Sequence, residues 1–400
     1  MSHETASAPG VQLVPAGHRV TRLPFVGIGL ATIGAAQLVI FGARHAERLY
    51  AAWLVAFVFF LTIALGCLYF VLIHTAMQGS WGIVVRRVAE NAAATLPLFA
   101  ILFLPVAFGL HSLYHWSHPE AVAHDALLRF KQPYLNLPFF YARAALYFAV
   151  WSAIALWFRR QSRLQDENRD AAAAARLSRY SGALLIPLAI TTTFAAFDWL
   201  MSLAPHWYST IFGVYVFAGG LVSGFAFVSI AAVALRRAGL LPALSSEHLH
   251  DLGKLLFAFT VFWAYIAFSQ FFLIWYGNIP EETIWYRVRL AGGWKLVTIA
   301  LAVGHFALPF FFLMPRAIKR NATTLVVAAV WLLAMHFVDV YWLVMPSLEG
   351  LGVQPGIMDV AALLTVGGAF LAGFGWLLVK SPLVPAGDPR LSESLAFENV

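Results

Sequence analysis

The sequence predicts an all-α membrane protein of about ten transmembrane helices. Hydrophobic residues make up 61% of the chain and charged residues only 11%, and the mean hydropathy is +0.77. A soluble domain carries roughly a quarter charged residues, so most of this surface must face lipid. Apolar runs of about 20 residues recur, which is the length that crosses a hydrocarbon core as a helix. The ten-residue alternating segments of a membrane barrel are absent.

The apolar runs predict ten membrane spans, which we number in chain order. Their predicted bounds are 23–41, 49–77, 88–110, 138–158, 180–203, 209–235, 253–277, 292–314, 323–345 and 357–379. Roughly three times as many Lys and Arg residues lie in segments on the N-terminal side as in the opposite, outer loops, which predicts that both termini are cytoplasmic. The basic residues therefore indicate topology, and we expect no nucleic-acid partner.

Two further segments carry local predictions. The arginine-rich inner loop 159–179 contains the run Ala171 to Ala175 and is predicted to form a short interfacial helix. The first twenty residues are polar and lack an apolar core, so no cleavable signal peptide is expected.

A faint internal repeat divides the chain. Spans 5 and 9 end in similar segments, 197–205 and 338–346, each with an Asp followed by aromatic residues, a Met and a Pro. Spans 4 and 8 each carry one basic residue near the outer end. We interpret the chain as two four-helix bundles of parallel repeat topology plus flanking helices. The predicted units are a cytoplasmic tail 1–22, a flanking helix and loop 23–48, a first bundle 49–203, a second bundle 204–345, a last flanking helix 346–380 and a cytoplasmic tail 381–400.

The first candidate site lies near the outer end of the first bundle. An ionisable side chain inside a membrane is costly and needs a partner or a function. Asp198 lies on span 5 and Arg143 begins span 4, while three histidines are close in sequence to this end. Such a set suits binding of a quinone headgroup or release of protons outward. The alternative is an Asp198–Arg143 ion pair that only fixes helix packing. The candidate residues are Arg143, Asp198, His206, His111 and His115.

The second candidate site is a proton path through the second bundle. His336 and Asp339 lie one turn apart on span 9, and four polar residues of span 7 fall on one helical face. Hydroxyl groups with waters can relay protons across a membrane. The alternative for span 7 is a buried seam of tyrosines with one lysine that snorkels to the inner surface. The candidate path consists of Lys254, Tyr265, Ser269, Tyr276, Lys295, His305, His336 and Asp339.

We expect Asp198 and Asp339 to be equivalent carboxylates of the two bundles. A relay carboxylate must exchange a proton, whereas the carboxylate of a structural ion pair does not. Of the two, we favour Asp339 for the relay, because His336 points along the same face.

The residues give little support to a bound cofactor. Cys67 is the single cysteine, which excludes internal disulfides, cysteine-ligated iron–sulfur clusters and c-type haem attachment. His305 and His336 are the two histidines that could face one another across a b-type haem, but Asp339 offers His336 a simpler partner. Walker, Rossmann and zinc-type spacings are absent. We therefore expect no haem, metal or cluster, and a bound quinone or quinol stays open.

Four segments carry a resemblance to a known family. They are FAAFDWLMSLAPHWYSTIFGVYVFAGG (194–220), DLGKLLFAFTVFWAYIAFSQFFLIWYGNIPEE (251–282), MPRAIKRN (314–321) and DPRLSESLAFENV (388–400). They resemble the NrfD/PsrC-like integral membrane subunits of bacterial alternative complex III, and in particular the smaller, F-type subunit. The similarity covers nearly the whole chain except its first 20 residues.

The resemblance implies a subunit of a quinol:cytochrome c oxidoreductase in the electron transport chain of a bacterial inner membrane, without activity of its own. The implied partners are a larger NrfD-like subunit, an iron–sulfur subunit, multihaem cytochrome c subunits and a terminal oxidase. It also implies that the larger sister subunit is the better candidate for the quinol site and that the smaller one contributes proton half-channels.

Two other functions compete with this one. The first is a stand-alone secondary transporter with parallel repeats, which usually breaks matching helices in both halves. Pro187 and Pro309 do not fall in matching helices, which disfavours a transporter. The second is a purely structural membrane scaffold whose buried charges only set helix register.

Overall fold

The protein is an all-α membrane protein. The computed structural model describes residues 13–42, 45–168, 171–348 and 352–399, and these residues form helices and connecting turns without a β-strand. Within these ranges, ten helical segments are long and apolar enough to cross a membrane. The predicted fold class and the predicted number of spans are confirmed. Arg44 and Arg169, which contribute to the predicted charge asymmetry, lie outside the described residues.

The ten spans keep the numbers given above. Their observed bounds are Leu23–Gly42, Ala46–Ala76, Ile83–Phe108, Leu137–Asn168, Ala171–Trp199, Phe212–Arg237, Ser246–Gly277, Trp294–Leu313, Ala322–Val344 and Ile357–Val379. Shorter helices of the connecting segments are Leu110–Leu113, Pro119–His124, Ala126–Lys131, Pro280–Arg289, Arg316–Arg320 and Leu391–Leu395.

Two spans are interrupted. Pro97 and Pro105 each lie in the first turn of a new helical segment in span 3, because proline cannot donate the hydrogen bond that would continue the preceding helix. Span 8 contains a π-helical turn, Leu301–Ala307, between two α-helical pieces. Single π-turns of this kind are frequent at functional sites.

The inner loop 159–179 differs from its prediction. Span 4 continues as one helix to Asn168 and span 5 begins at Ala171, so the predicted short interfacial helix is wrong. Alanine has the highest helix propensity, and the run that begins at Ala171 extends span 5 rather than forming a separate helix. Contacts also hold the end of span 4, since Asp166 accepts hydrogen bonds from Arg87 and from the backbone of Gly387.

Glycines allow the closest helix contacts. Spans 2 to 5 pack against one another, as do spans 6 to 9, and span 2 also lies along span 6. Gly66 of span 2 meets Gly220 and Gly224 of span 6 so closely that an added Cβ on Gly66 would overlap the backbone of Gly220. Spans 1 and 10 pack together in the same way through Gly27 and Gly368. Small residues permit such approaches in membranes, where dispersion contacts drive association.

Both ends of the described chain lie on one side, which we call the inner side. His18 contacts the carbonyl of Ala238 at the end of span 6. The C-terminal segment packs under the bundle, because Arg86 donates to Asp388 at 2.6 Å and His248 contacts the carbonyl of Ser394 at 3.0 Å. The described part of the predicted tail, residues 381–399, therefore packs against the inner side of the bundle.

Candidate functional site

Asp198 is held by an arginine. The Nε and Nη2 atoms of Arg143 donate to the two carboxylate oxygens at 2.8 and 2.9 Å, and the Tyr147 hydroxyl donates at 2.7 Å. Arg143 also donates to the carbonyl of Tyr134, and its guanidinium stacks on that ring with 3.8 Å to the centroid. Asp198 has no exposed surface and Arg143 is 7% exposed. This is a bidentate, buried ion pair of the strongest hydrogen-bonding type.

The pair has the geometry that the packing alternative describes. Both carboxylate oxygens of Asp198 accept hydrogen bonds from a permanently charged group, and that group is itself fixed by a carbonyl and an aromatic ring. Such a pair joins span 4 to span 5.

The outer histidines line a separate pocket. A cavity of about 440 Å³ on the outer side is lined by Glu47 and four histidines, while Asp198 is not part of its wall. Ser202 and Leu203 follow Asp198 and separate it from this pocket. The structure therefore brings His111, His115 and His206 together with the additional residue His118, but away from the Arg143–Asp198 pair.

At the rim of this pocket, His206 forms a hydrogen bond with a carboxylate from another segment. His206 bonds Asp125, which also caps the helix Ala126–Lys131 by accepting from the amides of Leu127 and Leu128. The hydrogen bond from His206 lowers the pKa of the Asp125 carboxyl below its ordinary value, and the backbone hydrogen bonds act in the same direction. The sequence analysis missed Asp125, which a capping motif before a short helix could have indicated.

Asp339 has a different environment from Asp198. One carboxylate oxygen accepts from the Tyr215 hydroxyl of span 6, and the other accepts from the Trp263 indole of span 7 at 3.1 Å. Asp339 is 1% exposed. No Lys or Arg bonds it among the residues that the structure describes. Neutral donors thus surround this carboxylate, and no cation holds it in the ionised form.

His336 lies beside Asp339 and contacts span 2. Its Nε2 atom is 2.8 Å from the Thr62 hydroxyl, whose own hydrogen is directed at the helix carbonyls of Val58 and Phe59. With the Thr62 hydrogen on a helix carbonyl, Nε2 carries the ring hydrogen and Nδ1 is the acceptor. Nδ1 has no hydrogen-bond partner within the described part of the chain.

A water-sized space adjoins both groups. A cavity of about 10 Å³ is lined by residues that include Thr62, Gly219, His336 and Asp339. A Cβ added to Gly219 would lie 3.3 Å from Nδ1 of His336 and 3.7 Å from Oδ2 of Asp339. One water needs about this volume and two or more polar partners. Gly219 therefore leaves room for a single water that can bridge the imidazole and the carboxylate.

His305 completes the cluster from span 8. It is fully buried in the π-helical turn, its ring lies 3.8 Å from the Trp263 ring and 6.5 Å from the His336 ring, and neither nitrogen has a hydrogen-bond partner among the described residues. The π-turn frees the carbonyl of Gly304, which accepts from the Trp331 indole at 2.7 Å. The structure thus places His305, His336 and Asp339 together in the second bundle.

The remaining candidates lie elsewhere. Lys295 is exposed at the start of span 8 and does not pair with Asp339, so it is not a chemical counterpart of Arg143. Lys254 forms an ion pair with Asp251 at the inner surface. Tyr265 and Tyr276 are 64% and 77% exposed, and Ser269 between them is partly buried. The polar face of span 7 therefore points to the outside of the bundle, away from His305 and His336.

The second bundle buries an arginine that the sequence analysis missed. Arg289 is 1% exposed and donates to the carbonyl of Leu343 at 2.9 Å and to the Ser347 hydroxyl at 3.0 Å. Its guanidinium stacks on the Trp285 ring with 3.5 Å to the centroid. Burial lowers the pKa of Arg289 to about 9, so it remains protonated at neutral pH. It caps the outer end of span 9 and does not bond Asp339.

A second missed group lies at the inner end of span 3. Arg86 donates to Glu90 at 3.0 Å and to Asp388, while Arg87 pairs with Glu90 and Asp166. These five side chains are almost completely buried, and their charges nearly balance. The Arg-Arg-x-x-Glu spacing places the three span 3 residues on adjoining positions of a helix, which could have signalled the pairing.

The cluster has no room for a porphyrin. Trp263 packs directly on His305, and the cavity beside His336 holds about 10 Å³. A search of the described ranges finds no group of three or more His, Cys, Asp or Glu side chains that could hold a metal ion. The expected absence of haem and metal stays a prediction. The arrangement suits proton exchange between an imidazole and a carboxylate through one water.

Comparison with known proteins adds no relative. The chain matches no protein-family profile, and a search of curated proteins finds no match.

Proposed function

We propose that this chain is a cofactor-free integral membrane subunit of a quinol:cytochrome c oxidoreductase of the alternative complex III type. In this proposal it lies in a bacterial inner membrane with both termini cytoplasmic. It assembles with a larger NrfD-like subunit, an iron–sulfur subunit and multihaem cytochrome c subunits, and those cofactor-bearing subunits carry the electrons of quinol toward a terminal oxidase. Its own contribution is proton movement through the second bundle. The resemblance of the four segments quoted above supports the complex, and the Asp339 cluster supports the proton path.

The environment of Asp339 is the single observation that carries the proton path. A fully buried carboxylate costs free energy unless it is paired or protonated, and Asp339 has only neutral donors around it. His336 lies one turn away with a free acceptor at Nδ1. The two groups can therefore exchange one proton through a bridging water without moving a helix.

The proposed path runs along span 9 from the inner side toward the outer side. Asp339 lies nearer the outer end of the span, and His336 lies one turn toward the inner side. In the proposed step, a proton that reaches His336 from the inner side is held on Nδ1, Nδ1 then donates it to the bridging water, and the water donates one of its own protons to the ionised Asp339 carboxylate. Release from Asp339 to the outer side resets the pair. The contact between the Thr62 hydroxyl and Nε2 holds the His336 ring in place.

The scaffold alternative fits the first bundle better than the second. The Arg143–Asp198 pair has the satisfied, bidentate geometry expected of a packing element. A purely structural role does not explain the nitrogens of His305 and His336 that have no partner among the described residues, because buried polar atoms are normally hydrogen-bonded. We therefore assign proton movement to the second bundle alone.

The test removes the Asp339 carboxylate and the His336 imidazole in the intact complex. Asp339→Asn should allow assembly and should either lower quinol:cytochrome c turnover about tenfold or reduce the protons released per electron toward the single proton that quinol oxidation itself releases. His336→Gln should act in the same direction. Lys295→Gln provides the matched control, since Lys295 is a charged residue of the second bundle that is exposed, and it should retain normal turnover. Normal turnover and normal proton release in Asp339→Asn would contradict the proton path, and failure to co-purify with any cytochrome subunit would contradict the complex.

A further inference from the structure

A groove on the inner half of the protein lies between spans 4 and 5. Its cavity measures about 510 Å³, and it opens to the outside of the bundle, where Tyr180 is half exposed. The polar part of the groove belongs to the arginine-rich stretch 159–179. The proposed proton path does not use this stretch.

The lining of the groove changes from apolar to polar toward the inner side. On span 4 the wall runs from Ile154 through Trp157 to Gln161, and a rise of 1.5 Å per residue makes this about 10 Å. Span 5 runs in the opposite direction, so its wall follows the same order from Leu184 through Tyr180 to Arg176. The apolar, aromatic and polar layers of the two helices therefore coincide.

The aromatic layer marks the level of the membrane interface. The Trp157 and Tyr180 rings meet edge to face with 5.7 Å between their centroids, one from each span. Trp and Tyr favour the headgroup level, where an apolar body meets a polar tip. The polar end of the groove thus lies at the headgroups of the inner leaflet, and the apolar end lies beside acyl chains.

Positive charge is concentrated at the polar end. Arg160 lies three residues after Trp157 on span 4, and Arg163 and Arg179 lie within a turn of the rim, all of them exposed. The stretch 159–179 holds six arginines and three carboxylates, so positive charge is in excess, and one of these carboxylates, Asp166, is bonded by Arg87 and by the amide of Gly387. An anionic headgroup is the complement of this rim, and basic pockets between membrane helices on this side bind such lipids.

We propose that the groove binds one acidic phospholipid of the inner leaflet, with an acyl chain along Ile154 and Leu184 and the phosphate at Gln161 and Arg176. The bound lipid lies between spans 4 and 5. The inner end of span 4 contacts the C-terminal tail, because Asp166 accepts a hydrogen bond from the amide of Gly387. Binding is independent of the proton path, so each proposal can fail without the other.

The experiment measures lipid binding to the purified, assembled protein by native mass spectrometry. Phosphatidylglycerol and phosphatidylcholine with identical acyl chains are the two probes, and phosphatidylglycerol should bind more tightly. Arg160→Gln and Arg176→Gln should each weaken phosphatidylglycerol binding about fivefold, which corresponds to about 1 kcal/mol per arginine near the surface. Leu184→Trp should displace either lipid by filling the apolar end.

The matched control is Arg236→Gln, which removes an exposed arginine at the inner end of span 6, away from the groove. It should leave binding unchanged. Equal affinity for the two lipids would overturn the proposal, because it would show that the rim does not read the headgroup charge. An equal loss in the Arg160 and Arg236 variants would also overturn it, since the charge would then act through the whole surface. Retained phosphatidylglycerol in Leu184→Trp would show that the lipid lies elsewhere.

Discussion

His336 and Asp339 flank a water-sized cavity whose third wall is Gly219 of span 6. The absence of a side chain at Gly219 sets the space between the His336 Nδ1 atom and the Asp339 carboxylate. Neither titratable group can therefore be understood from span 9 alone. A substitution that fills the space at Gly219 therefore tests proton transfer between the two groups.

Gly219→Ala should slow proton transfer without changing a titratable group. The added methyl would lie 3.1 Å from Cε1 of His336 and would occupy the space of the bridging water. We expect a several-fold loss of turnover in the assembled complex, measured together with proton release. Gly182→Ala is the matched control, because nothing lies within 4 Å of that position. Unchanged turnover in Gly219→Ala would show that no water is needed there.

Arg143→Gln should destabilise the first bundle strongly. Removal of the guanidinium leaves the fully buried Asp198 carboxylate without its cation, and breaking such a pair typically costs about 3–5 kcal/mol. Thermal unfolding of the purified protein measures the effect. The double variant Arg143→Gln with Asp198→Asn should recover part of the loss, because no charge is then stranded.

The same double variant separates packing from chemistry. If the pair only joins spans 4 and 5, the double variant that assembles should turn over at a normal rate. A stable double variant with abolished turnover would assign Asp198 a role in proton transfer. A single variant as stable as the parent protein would show that the pair contributes nothing to folding.

The span count and the His336–Asp339 neighbourhood could be predicted because both depend on local sequence. Runs of about 20 apolar residues define spans directly, and residues three apart on a helix share a face. The polar face of span 7 was visible for the same reason. The direction in which this face points could not be predicted. A membrane helix is apolar both toward lipid and toward neighbouring helices, so periodicity does not identify its buried side.

The parts of the site that were missed depend on contacts between distant segments. Gly219 lies 117 positions before His336, and Asp388 reaches Arg86 across 302 positions of the chain. Arg289 lies between spans 7 and 8 in the sequence, yet its helix folds back to cap span 9. Lys295 was chosen by analogy with Arg143, but the turn at the start of span 8 leaves it exposed. Such positions follow from helix rotation and tertiary packing, which the sequence alone does not specify.

Acid should loosen the outer segment that contains Asp125. His206 holds the pKa of Asp125 below its ordinary value, so this contribution to stability is present above the usual aspartate range and is lost as pH falls through the lowered pKa. We expect faster amide exchange in the helix Ala126–Lys131 at pH about 3 than at pH about 6, after correction for intrinsic rates. Asp125→Asn should remove the pH dependence, and a parent protein with no change would contradict the prediction.

Asp388→Asn should weaken docking of the C-terminal segment under the bundle. Burial alone would raise the pKa of Asp388, but the charge of Arg86 and the hydrogen bonds from Arg390 and Arg86 outweigh it, and the pKa is lowered. The ionised carboxylate therefore stabilises the fold above the usual aspartate range, and this contribution is lost as pH falls through the lowered pKa. At neutral pH the variant leaves Arg86 with Glu90 as its remaining carboxylate partner.

We expect Asp388→Asn to lower the free energy of unfolding by about 3 kcal/mol, the lower end of the cost of breaking a buried pair, because Glu90 still compensates part of the charge. Thermal unfolding and limited proteolysis of the C-terminal segment measure the loss and its location. Glu393→Gln is the matched control, since Glu393 lies in the same segment with an exposed side chain and should change neither. Equal stability of the Asp388 and Glu393 variants would contradict this prediction. The contact between Arg86 and Asp388 would then position the C-terminal segment without stabilising the fold.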